Sequence, residues 1–390
     1  MKLLDLILGA DPLRPPLTGI GRYTYELARR LSESDEITRL RYFSMGQWLD
    51  DPLTALKQTA DSNASRPAQD KSTLRDRLSA NRAAVLAFSQ VSPYFFKWRL
   101  RNNKNAIFHS PNYIVPPFSG KTVSTVHDLS HIFHPKFHPQ ARVDYLRLTL
   151  KTSLKHTDMV ITVSETVRQE MIDLKLLASD RIQAIHLAAD TVFHPYPKQA
   201  LEPVMQALNL QAWQYTLYVG TIEPRKNVER LIEAYETLPI GLRSQFPLVI
   251  AGGKGWNSES IHGRMARAQS EGWLRYISFV DQKYLPQLYA GARLMAYPSL
   301  YEGFGLPIVE AMASATPVLT SNTSCMPEVA GGAAYLVNPL DVESIRHGLE
   351  HCLSDETWQA EARAKGLARS ARLSWDHCAS ETIAVYKQLA

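Results

Sequence analysis

The 390-residue chain has few cysteines, no long apolar run and no large excess of one charge. Its three cysteines, Cys325, Cys352 and Cys378, lack metal-ligand spacing, and their odd number argues against a disulfide framework. This usage is typical of a reducing compartment, so we expect a cytoplasmic protein. No apolar run approaches the ~20 residues that cross a bilayer, and Asp5 interrupts the apolar start. The start therefore predicts a first β-strand rather than a signal peptide.

The length and the order of the predicted elements indicate two α/β domains. A chain of 390 residues suits two cores of roughly 200 residues each. Strands and helices alternate along both halves, which is typical of parallel sheets covered by helices. Ligands of such sheets bind beyond the carboxyl ends of the strands, so we expect a site in the cleft between two facing domains. Strands are predicted at 3–8, 106–109, 122–127, 159–163, 182–186, 215–219, 247–251, 275–280, 293–297, 317–320 and 334–337.

The most informative stretch runs from Tyr297 to Ala311 and carries two glutamates eight positions apart. Pro307 suits the first turn of a helix, so Glu302 is expected in the strand-to-helix loop and Glu310 on the first helical turns. The intervening glycines let backbone N–H groups approach anionic oxygens at a helix N-terminus. Carboxylates beside such a site favour a ligand with both phosphates and hydroxyls, which is a nucleotide sugar. The alternative is a pair of solvated surface glutamates.

This Glu-x7-Glu arrangement resembles that of the retaining glycosyltransferases of family 4, which have two facing Rossmann-like domains, the GT-B architecture. The resemblance covers nearly the whole chain. It implies an N-terminal Rossmann-like acceptor domain at 1–193, a C-terminal nucleotide-sugar-binding domain at 194–373 and a final helix at 374–390 that packs back on the first domain. Ser374 is expected to cap that helix. The resemblance further implies that Glu310 binds the ribose hydroxyls and that Glu302 contacts the donor sugar.

A second motif, from Tyr218 to Asn227, follows a predicted strand and brings Arg225 and Lys226 to the edge of the cleft. Adjacent cations stabilise the charge that grows on a departing diphosphate, and arginine can hold phosphate oxygens bidentately. Cations at a helix N-terminus oppose the helix dipole, which argues against a purely structural role. The resemblance implies that both residues serve catalysis. Thr221 occupies the place where the family often has an arginine, and Arg225 is our substitute for it.

The resemblance also implies contacts from both domains. His127, at the end of a predicted strand, matches a histidine that touches the donor sugar or the acceptor; a core histidine bonded to backbone is the alternative. Gly19 matches a loop that closes over the diphosphate and acceptor, although a tight turn also explains a glycine there. The further donor-binding positions are the motif-loop backbone and a residue near the base: Gly303, Phe304, Gly305, Leu306 and Val280.

The sequence gives little support for a bound metal. His131, His134 and His138 are closely spaced, but Pro135 and Pro139 favour an irregular loop there over a metal site. No Asp-x-Asp sequence occurs, which fits a site that uses arginine and lysine in place of a divalent ion. We therefore expect neither a metal nor a cofactor.

Positive charge is concentrated in the first part of the chain. Residues 1–110 carry 17 Lys and Arg against 11 Asp and Glu, whereas the remainder carries 26 against 27. Within 71–104, basic residues alternate with aromatic residues, and Asp76 is the one acid. This pattern fits docking to an anionic membrane surface, and it fits a helix pair packed on its own domain equally well. No nucleic-acid-binding module accompanies it, so we expect no nucleic-acid partner.

Three segments resemble the bacterial mannosyltransferase branch that builds surface polysaccharides: 18–23, 220–227 and 251–256. The resemblance implies retaining transfer of a hexose, preferably mannose from GDP-mannose, to a lipid-linked or polysaccharide acceptor in O-antigen or exopolysaccharide synthesis. Such an enzyme is expected in the cytoplasm, peripheral on the inner face of the membrane. The alternatives are a UDP-sugar donor (glucose or N-acetylglucosamine), a sugar-nucleotide epimerase of the same architecture and a non-catalytic scaffold.

Overall fold

The computed structural model describes residues 3–15, 17–56, 95–278 and 280–390. Within these residues the strands form one sheet of seven and one of six, with helices in the connections between the parallel strands. The predicted α/β class with two Rossmann-like sheets is confirmed.

The first sheet is built from the first half of the chain. Its order is β3-β2-β1-β4-β5-β6-β7, and neighbouring strands are parallel except β2 and β3. Strands β4 and β6 are buried along their whole length, as expected for a parallel sheet covered on both faces. The strands are β1 Leu4–Gly9, β2 Ile37–Ser44, β3 Gln47–Leu49, β4 Ile107–Ser110, β5 Lys121–Val126, β6 Met159–Thr162 and β7 Ile182–Ala184.

The second sheet is parallel throughout and has the order β10-β9-β8-β11-β12-β13. Strands β8 and β11 are neighbours at its centre, so the loops that follow them lie side by side. This adjacency brings the two predicted motifs together. The strands are β8 Thr216–Val219, β9 Leu248–Ala251, β10 Leu274–Ile277, β11 Leu294–Tyr297, β12 Val318–Ser321 and β13 Tyr335–Val337.

The helices begin where side-chain caps and prolines favour them. Ser164 and Ser374 each accept a hydrogen bond from a backbone N–H of the first turn, and the capping role predicted for Ser374 is confirmed. Pro307 lies in the first turn of the motif helix, as predicted. The α-helices with defined bounds are Gly19–Glu33, Ser130–Phe133, Gln140–Leu154, Glu165–Asp173, Lys198–Ala207, Val228–Glu236, Ile240–Gln245, Glu259–Ser270, Leu285–Ala290, Leu306–Ala313, Met326–Ala330, Val342–Ser354, Glu356–Ser370 and Trp375–Leu389. Short 3-10 turns occupy Pro135–Phe137, Ser179–Arg181 and Pro224–Lys226.

The last helix, Trp375–Leu389, lies against the first helix, Gly19–Glu33. The hydroxyl of Tyr386 is 2.6 Å from Nδ1 of His109 in β4, and both side chains are buried. The chain therefore returns to the first sheet after completing the second. The domain boundaries at 193 and 373 stay predictions.

The structure differs from the sequence-based prediction at three strands. Strands β2 and β3 were not expected, because Arg39 and Arg41 interrupt the apolar pattern of β2; Arg41 forms an ion pair with Asp5 of β1 at 2.8 Å. The strand predicted at 275–280 ends at Ile277, so Val280 lies in the loop beyond it.

Candidate active site

Two loops at the carboxyl edge of the second sheet carry the charged residues of both motifs. Arg225 and Lys226 lie in the 3-10 turn Pro224–Lys226 after β8, and Glu302 lies in the loop after β11. The backbone N–H of Leu300 donates to the carbonyl of Arg225 at 2.9 Å. The side chain of the buried Asn227 donates to the carbonyl of Pro298, also at 2.9 Å. These bonds fix the loop that carries Arg225 and Lys226, which we call the cation loop, against the loop that carries Glu302, which we call the glutamate loop.

Glu302 binds both cations through its two carboxylate oxygens. Oε1 lies 2.6 Å from Nζ of Lys226, and Oε2 lies 3.0 Å from Nη1 of Arg225. The hydroxyl of Tyr297 donates to Oε1 at 2.9 Å and is 2.7 Å from Nζ of Lys226. Glu302 is only 5% exposed, so it is not a solvated surface residue, which was the alternative that the sequence left open.

Burial opposes the charge of each residue in this cluster, and the opposite charges outweigh that cost at Glu302 and Arg225 but not at Lys226, where burial holds the pKa below its ordinary value. Burial opposes ionisation of Glu302, but Lys226 and Arg225 outweigh it and hold the pKa of Glu302 below its ordinary value. Burial also opposes the charge of Arg225, but Glu302, Asp128 and Glu223 raise its pKa above the ordinary value. Arg225 is therefore a permanent cation that faces acidic groups of both halves of the chain.

These contacts limit what Glu302 can do chemically. Both of its oxygens already bind cations, which lowers the nucleophilicity of the carboxylate and fixes the directions of Arg225 and Lys226. The geometry suits a residue that aligns two cations for an anionic ligand. The contact of Glu302 with a donor sugar stays a prediction.

Glu310 forms a second, separate pole of the site. It is the fifth residue of the helix Leu306–Ala313, and its Oε2 accepts a hydrogen bond from the hydroxyl of Tyr289 at 2.9 Å. Burial raises the pKa of Glu310 above its ordinary value, the charge of Arg22 and the hydrogen bond from Tyr289 oppose this shift, and the charge of Asp190 adds to it. Among the described residues, no hydrogen bond or ion pair links it to Arg225 or Lys226.

The loop between the two glutamates is tightly packed. A Cβ at Gly303 would collide with the carbonyl oxygen of His127, so this position requires glycine. Gly305 has a φ of +90°, in the left-handed region that glycine favours, and it precedes the first turn of the helix. A Cβ on Gly19 would lie 3.7 Å from the side chain of Leu306. Phe304 is buried beside the ring of His186, with ring centroids 5.9 Å apart.

His127 is bonded to backbone. Its Nε2 lies 2.8 Å from the carbonyl oxygen of Pro111, and Tyr23 packs edge-on against its ring at 5.1 Å. Burial lowers the pKa of His127, so the neutral ring donates from Nε2 and leaves Nδ1 as an acceptor. This is the arrangement that we named as the alternative to a functional role. A contact of His127 with donor or acceptor stays a prediction.

Comparisons with known proteins decide the family. The chain matches the family model described as Glycosyltransferase Family 4 over residues 17–193 and the model described as Glycosyl transferases group 1 over residues 207–370. It is 38% identical to the O-antigen chain mannosyltransferase B of Escherichia coli, over 99% of this chain and 100% of that protein. The chain belongs to the family 4 glycosyltransferases.

One further relative is similar in sequence, and two solved structures are similar in fold. The chain is 28% identical to the O-antigen chain mannosyltransferase RfbU of Salmonella typhimurium, and the match covers 62% of the chain and 63% of RfbU. The crystal structure of Anabaena HepE in complex with UDP and glucose superposes with a TM-score of 0.72 at 17% identity, covering 99% of this chain and 100% of that chain. The crystal structure of WaaG, described as a glycosyltransferase involved in lipopolysaccharide biosynthesis, superposes with a TM-score of 0.71 at 14% identity. The match covers 97% of this chain and 98% of the WaaG chain. The fold of this glycosyltransferase is GT-B.

Sequence reasoning missed two acidic residues that act on Arg225. Asp128 directly follows His127; burial opposes its charge, but Arg225 and Ser130 lower the pKa of Asp128 to about 2. Glu223 accepts from Nη2 of Arg225 at 2.9 Å. Asp128 is adjacent to His127, and Glu223 lies inside the second motif two positions before Arg225; these positions were the available signal. The bond of Glu223 to Arg225 depends on the turn geometry between them, and the effect of Arg225 on Asp128 depends on how the two domains pack.

The remaining predictions concern metal and membrane. The described part of the chain contains no group of three or more His, Cys, Asp or Glu side chains arranged to hold a metal ion. In the same residues, no helix is long and apolar enough to cross a membrane. Most of the basic segment 71–104 lies outside the described residues. In the described final part of this segment, Phe95 and Trp98 are 46% and 55% exposed. Phe96 packs against Phe43, with the ring centroids 6.0 Å apart.

Proposed function

We propose that this glycosyltransferase transfers mannose from GDP-mannose to an O-antigen-type glycan, with retention at the anomeric carbon. The donor assignment is supported by the mannosyltransferase named among its relatives, which aligns over the full length of both chains. The observation that carries the transfer chemistry is the buried cluster in which Glu302 holds Arg225 and Lys226 side by side. A UDP-sugar donor is the alternative that the donor experiment below distinguishes.

In the proposed mechanism the donor spans both poles of the site. The diphosphate lies against Arg225 and Lys226, and the ribose hydroxyls donate to Glu310. Since burial raises the pKa of Glu310, hydroxyl donors offset a cost that the carboxylate otherwise bears. The backbone N–H groups of Phe304, Gly305 and Leu306, which lead into the helix Leu306–Ala313, can donate to phosphate oxygens. Pro307 has no N–H, and the N–H of Ile308 already donates to the carbonyl of Gly305 at 2.9 Å.

The chemical step requires positioning and charge stabilisation. The bond between the anomeric carbon and the phosphate oxygen breaks as the acceptor hydroxyl attacks from the same face. The departing phosphate oxygen takes the acceptor proton, so no protein base is needed. Negative charge grows on the diphosphate, and the fixed charges of Arg225 and Lys226 lower the barrier. In this proposal two cations do the work of a divalent metal, and no cofactor takes part.

The first domain completes the site in this proposal. Gly19 is adjacent to Leu306, which supports a role for its loop beside the diphosphate. We assign residues 1–193 to the acceptor domain, 194–373 to the donor domain and 374–390 to the returning helix. His127 borders the sugar, with Nδ1 available to accept a hydroxyl proton in a hydrogen bond.

The acceptor in this proposal is a lipid-linked glycan, which locates the enzyme at the cytoplasmic face of the inner membrane. The exposed aromatic side chains of Phe95 and Trp98 support this location, because aromatic residues flanked by cations suit an anionic lipid surface. The guanidinium of Arg101 lies 4.8 Å from the Trp98 ring. Flotation with anionic and with neutral vesicles tests the location; binding to neither contradicts it.

A donor panel tests the function. Purified enzyme is incubated with a lipid-linked mannose-containing acceptor and GDP-mannose, UDP-glucose or UDP-N-acetylglucosamine in turn, with chelator present. We expect one added hexose by mass spectrometry from GDP-mannose alone, and an α linkage by NMR, matching the α configuration of the donor. Transfer from a UDP-sugar alone, or an inverted linkage, contradicts the proposal. No transfer and no thermal stabilisation by any nucleotide sugar favours the scaffold.

A further inference from the structure

One helix of the first domain, Glu165–Asp173, is held at its N-terminus by a carboxylate from the second domain; we call it the docking helix. Oε1 of Glu328 accepts from the backbone N–H of Glu165 at 2.7 Å. Oε2 accepts from the backbone N–H and the hydroxyl of Thr166, at 2.9 and 2.7 Å. His186 of the first domain adds a fourth bond, with its Nε2 2.6 Å from Oε1. The carboxylate is thus fully engaged across the domain interface.

The physical basis of this contact is the helix terminus. The first backbone N–H groups of a helix lack intrahelical acceptors and carry partial positive charge, which a carboxylate satisfies. Burial opposes ionisation of Glu328, but the bonds from His186, Thr166 and the two N–H groups outweigh it and lower its pKa to about 2. Glu328 is therefore ionised at neutral pH, and an ionised acceptor strengthens the hydrogen bonds that it receives.

A second contact joins the docking helix to the glutamate loop. Tyr301 immediately precedes Glu302, and its hydroxyl donates to Oε2 of Glu170 at 2.6 Å. The same hydroxyl accepts from the backbone N–H of Leu129 at 3.2 Å. Tyr301 is buried, and its own carbonyl accepts from Nη1 of Arg225 at 2.9 Å. The hydroxyl and the carbonyl of this one residue thus link the docking helix to the cation cluster.

A third contact lies between these two. Ser164, the cap of the docking helix, donates its hydroxyl to the carbonyl of Gly303 at 2.7 Å, in addition to accepting from the N–H of Val167. The docking helix is therefore bound to the glutamate loop on both sides of Glu302. Any separation of the domains must break all three contacts before the loop can move with its own sheet.

We propose that Glu328 and Tyr301 are positioning residues that hold the docking helix against the glutamate loop and thereby fix Glu302, Arg225 and Lys226 for sugar transfer. Neither residue touches the donor in this account. Because the donor contacts lie chiefly in the second domain, loss of either residue slows turnover and leaves donor affinity unchanged. The kinetic part of this inference rests on the proposed function; the docking contact itself does not.

Hydrogen exchange tests the docking contact without any substrate. We compare wild type with Glu328→Ala and Glu328→Gln, and use Glu350→Gln as the control, because Glu350 forms an exposed ion pair with Arg346 inside one helix. Exchange at the amides of Glu165 and Thr166 is expected to accelerate about tenfold in Glu328→Ala, less in Glu328→Gln and not in the control. Equal exchange in wild type and Glu328→Ala overturns the contact.

Kinetics test the positioning role. We expect kcat with GDP-mannose to fall about tenfold in Glu328→Ala and in Tyr301→Phe, with partial recovery in Glu328→Gln and a donor Kd within about twofold of wild type. Tyr196→Phe is the control for the tyrosine, since its hydroxyl bonds to the exposed linker carbonyl of Val192. Unchanged kcat, or a donor Kd that weakens in step with kcat, overturns the role. If wild type does not use GDP-mannose, the donor proposal fails, and the exchange experiment still decides the docking contact.

Discussion

Glu302 and Glu310 lie eight residues apart in one motif and are both buried, yet their surroundings differ. Two cations surround Glu302 and lower its pKa, whereas Glu310 has a tyrosine hydroxyl as its bonded partner and burial raises its pKa. The difference separates two tasks. The carboxylate at 302 completes a charge cluster, and in the proposed mechanism the carboxylate at 310 accepts hydrogen bonds from the ribose hydroxyls. Substitutions that remove each charge in turn should therefore have unlike effects.

The largest effect is expected from Glu302→Gln. The substitution removes the ion-pair partner of the buried Lys226 and leaves Arg225 with Glu223, and breaking a buried ion pair costs about 3–5 kcal/mol of folding stability. We expect a clear fall in Tm together with a loss of kcat, because the two cations lose their alignment. Thermal unfolding and initial rates at saturating donor measure both. A variant with wild-type Tm would show that the ion pairs are not formed in solution.

Gly303→Ala should come next, because the added methyl group collides with the carbonyl of His127 in the other domain. Overpacking of this kind costs about 1–3 kcal/mol, so we expect a lower Tm and weaker activity. Gly253→Ala is the matched control, since a Cβ there meets nothing within 4 Å. Equal Tm and equal activity in the two alanine variants would contradict the close approach of the domains at Gly303.

Glu310→Gln should weaken donor binding and spare stability. Loss of the ribose acceptor is expected to raise the donor Kd about tenfold, measured by calorimetry. Because the pKa of Glu310 is raised in the folded protein, its stabilising contribution is present below the unfolded pKa and is lost as the pH rises through the folded value. The Tm of the variant should therefore be higher than that of wild type at pH 8, and the two Tm values should be equal at pH 4. A Tm as low as that of Glu302→Gln would remove the contrast between the two poles.

The smallest effect is expected from Glu170→Gln at the docking helix. Burial, with Asp128 and Asp173, raises the pKa of Glu170 to about 7 from the model-compound value 4.5. Wild-type stability should fall as the pH rises from 4.5 to about 7, because the folded state holds this proton more tightly than the unfolded state. The variant should exceed wild type by roughly 2–4 °C in Tm at pH 8 and match it at pH 4. Equal pH profiles would exclude this shift.

Much of the fold follows from local patterns. Apolar runs ending in glycine or proline mark β8 and β11, and Pro307 and Ser374 mark helix starts; the structure has all four where the sequence predicts them. β2 escaped prediction because Arg39 and Arg41 interrupt its apolar pattern, and the partner of Arg41, Asp5, lies on the neighbouring strand. Such compensation is visible only after the strands are paired.

The hydrogen-bond and ion-pair partners of the charged residues could not be predicted from such local patterns. Glu223 lies in a motif, but its bond to Arg225 depends on a turn geometry that the sequence does not specify. Glu328 and Glu165 are 163 residues apart, and their contact exists because two domains dock. Single-sequence reasoning identifies candidate charges at strand ends, and the packing of sheets decides which of them meet.

Turnover of Lys226→Ala with GDP-mannose is the decisive measurement for the proposal that Glu302 aligns Arg225 and Lys226 to stabilise the departing diphosphate. We expect a fall in kcat of about 10²–10³-fold with a much smaller change in donor Kd. The control Lys254→Ala, which removes an exposed lysine paired with Glu259, should leave both unchanged. A kcat within twofold of wild type, or a loss confined to donor binding, would contradict the proposal.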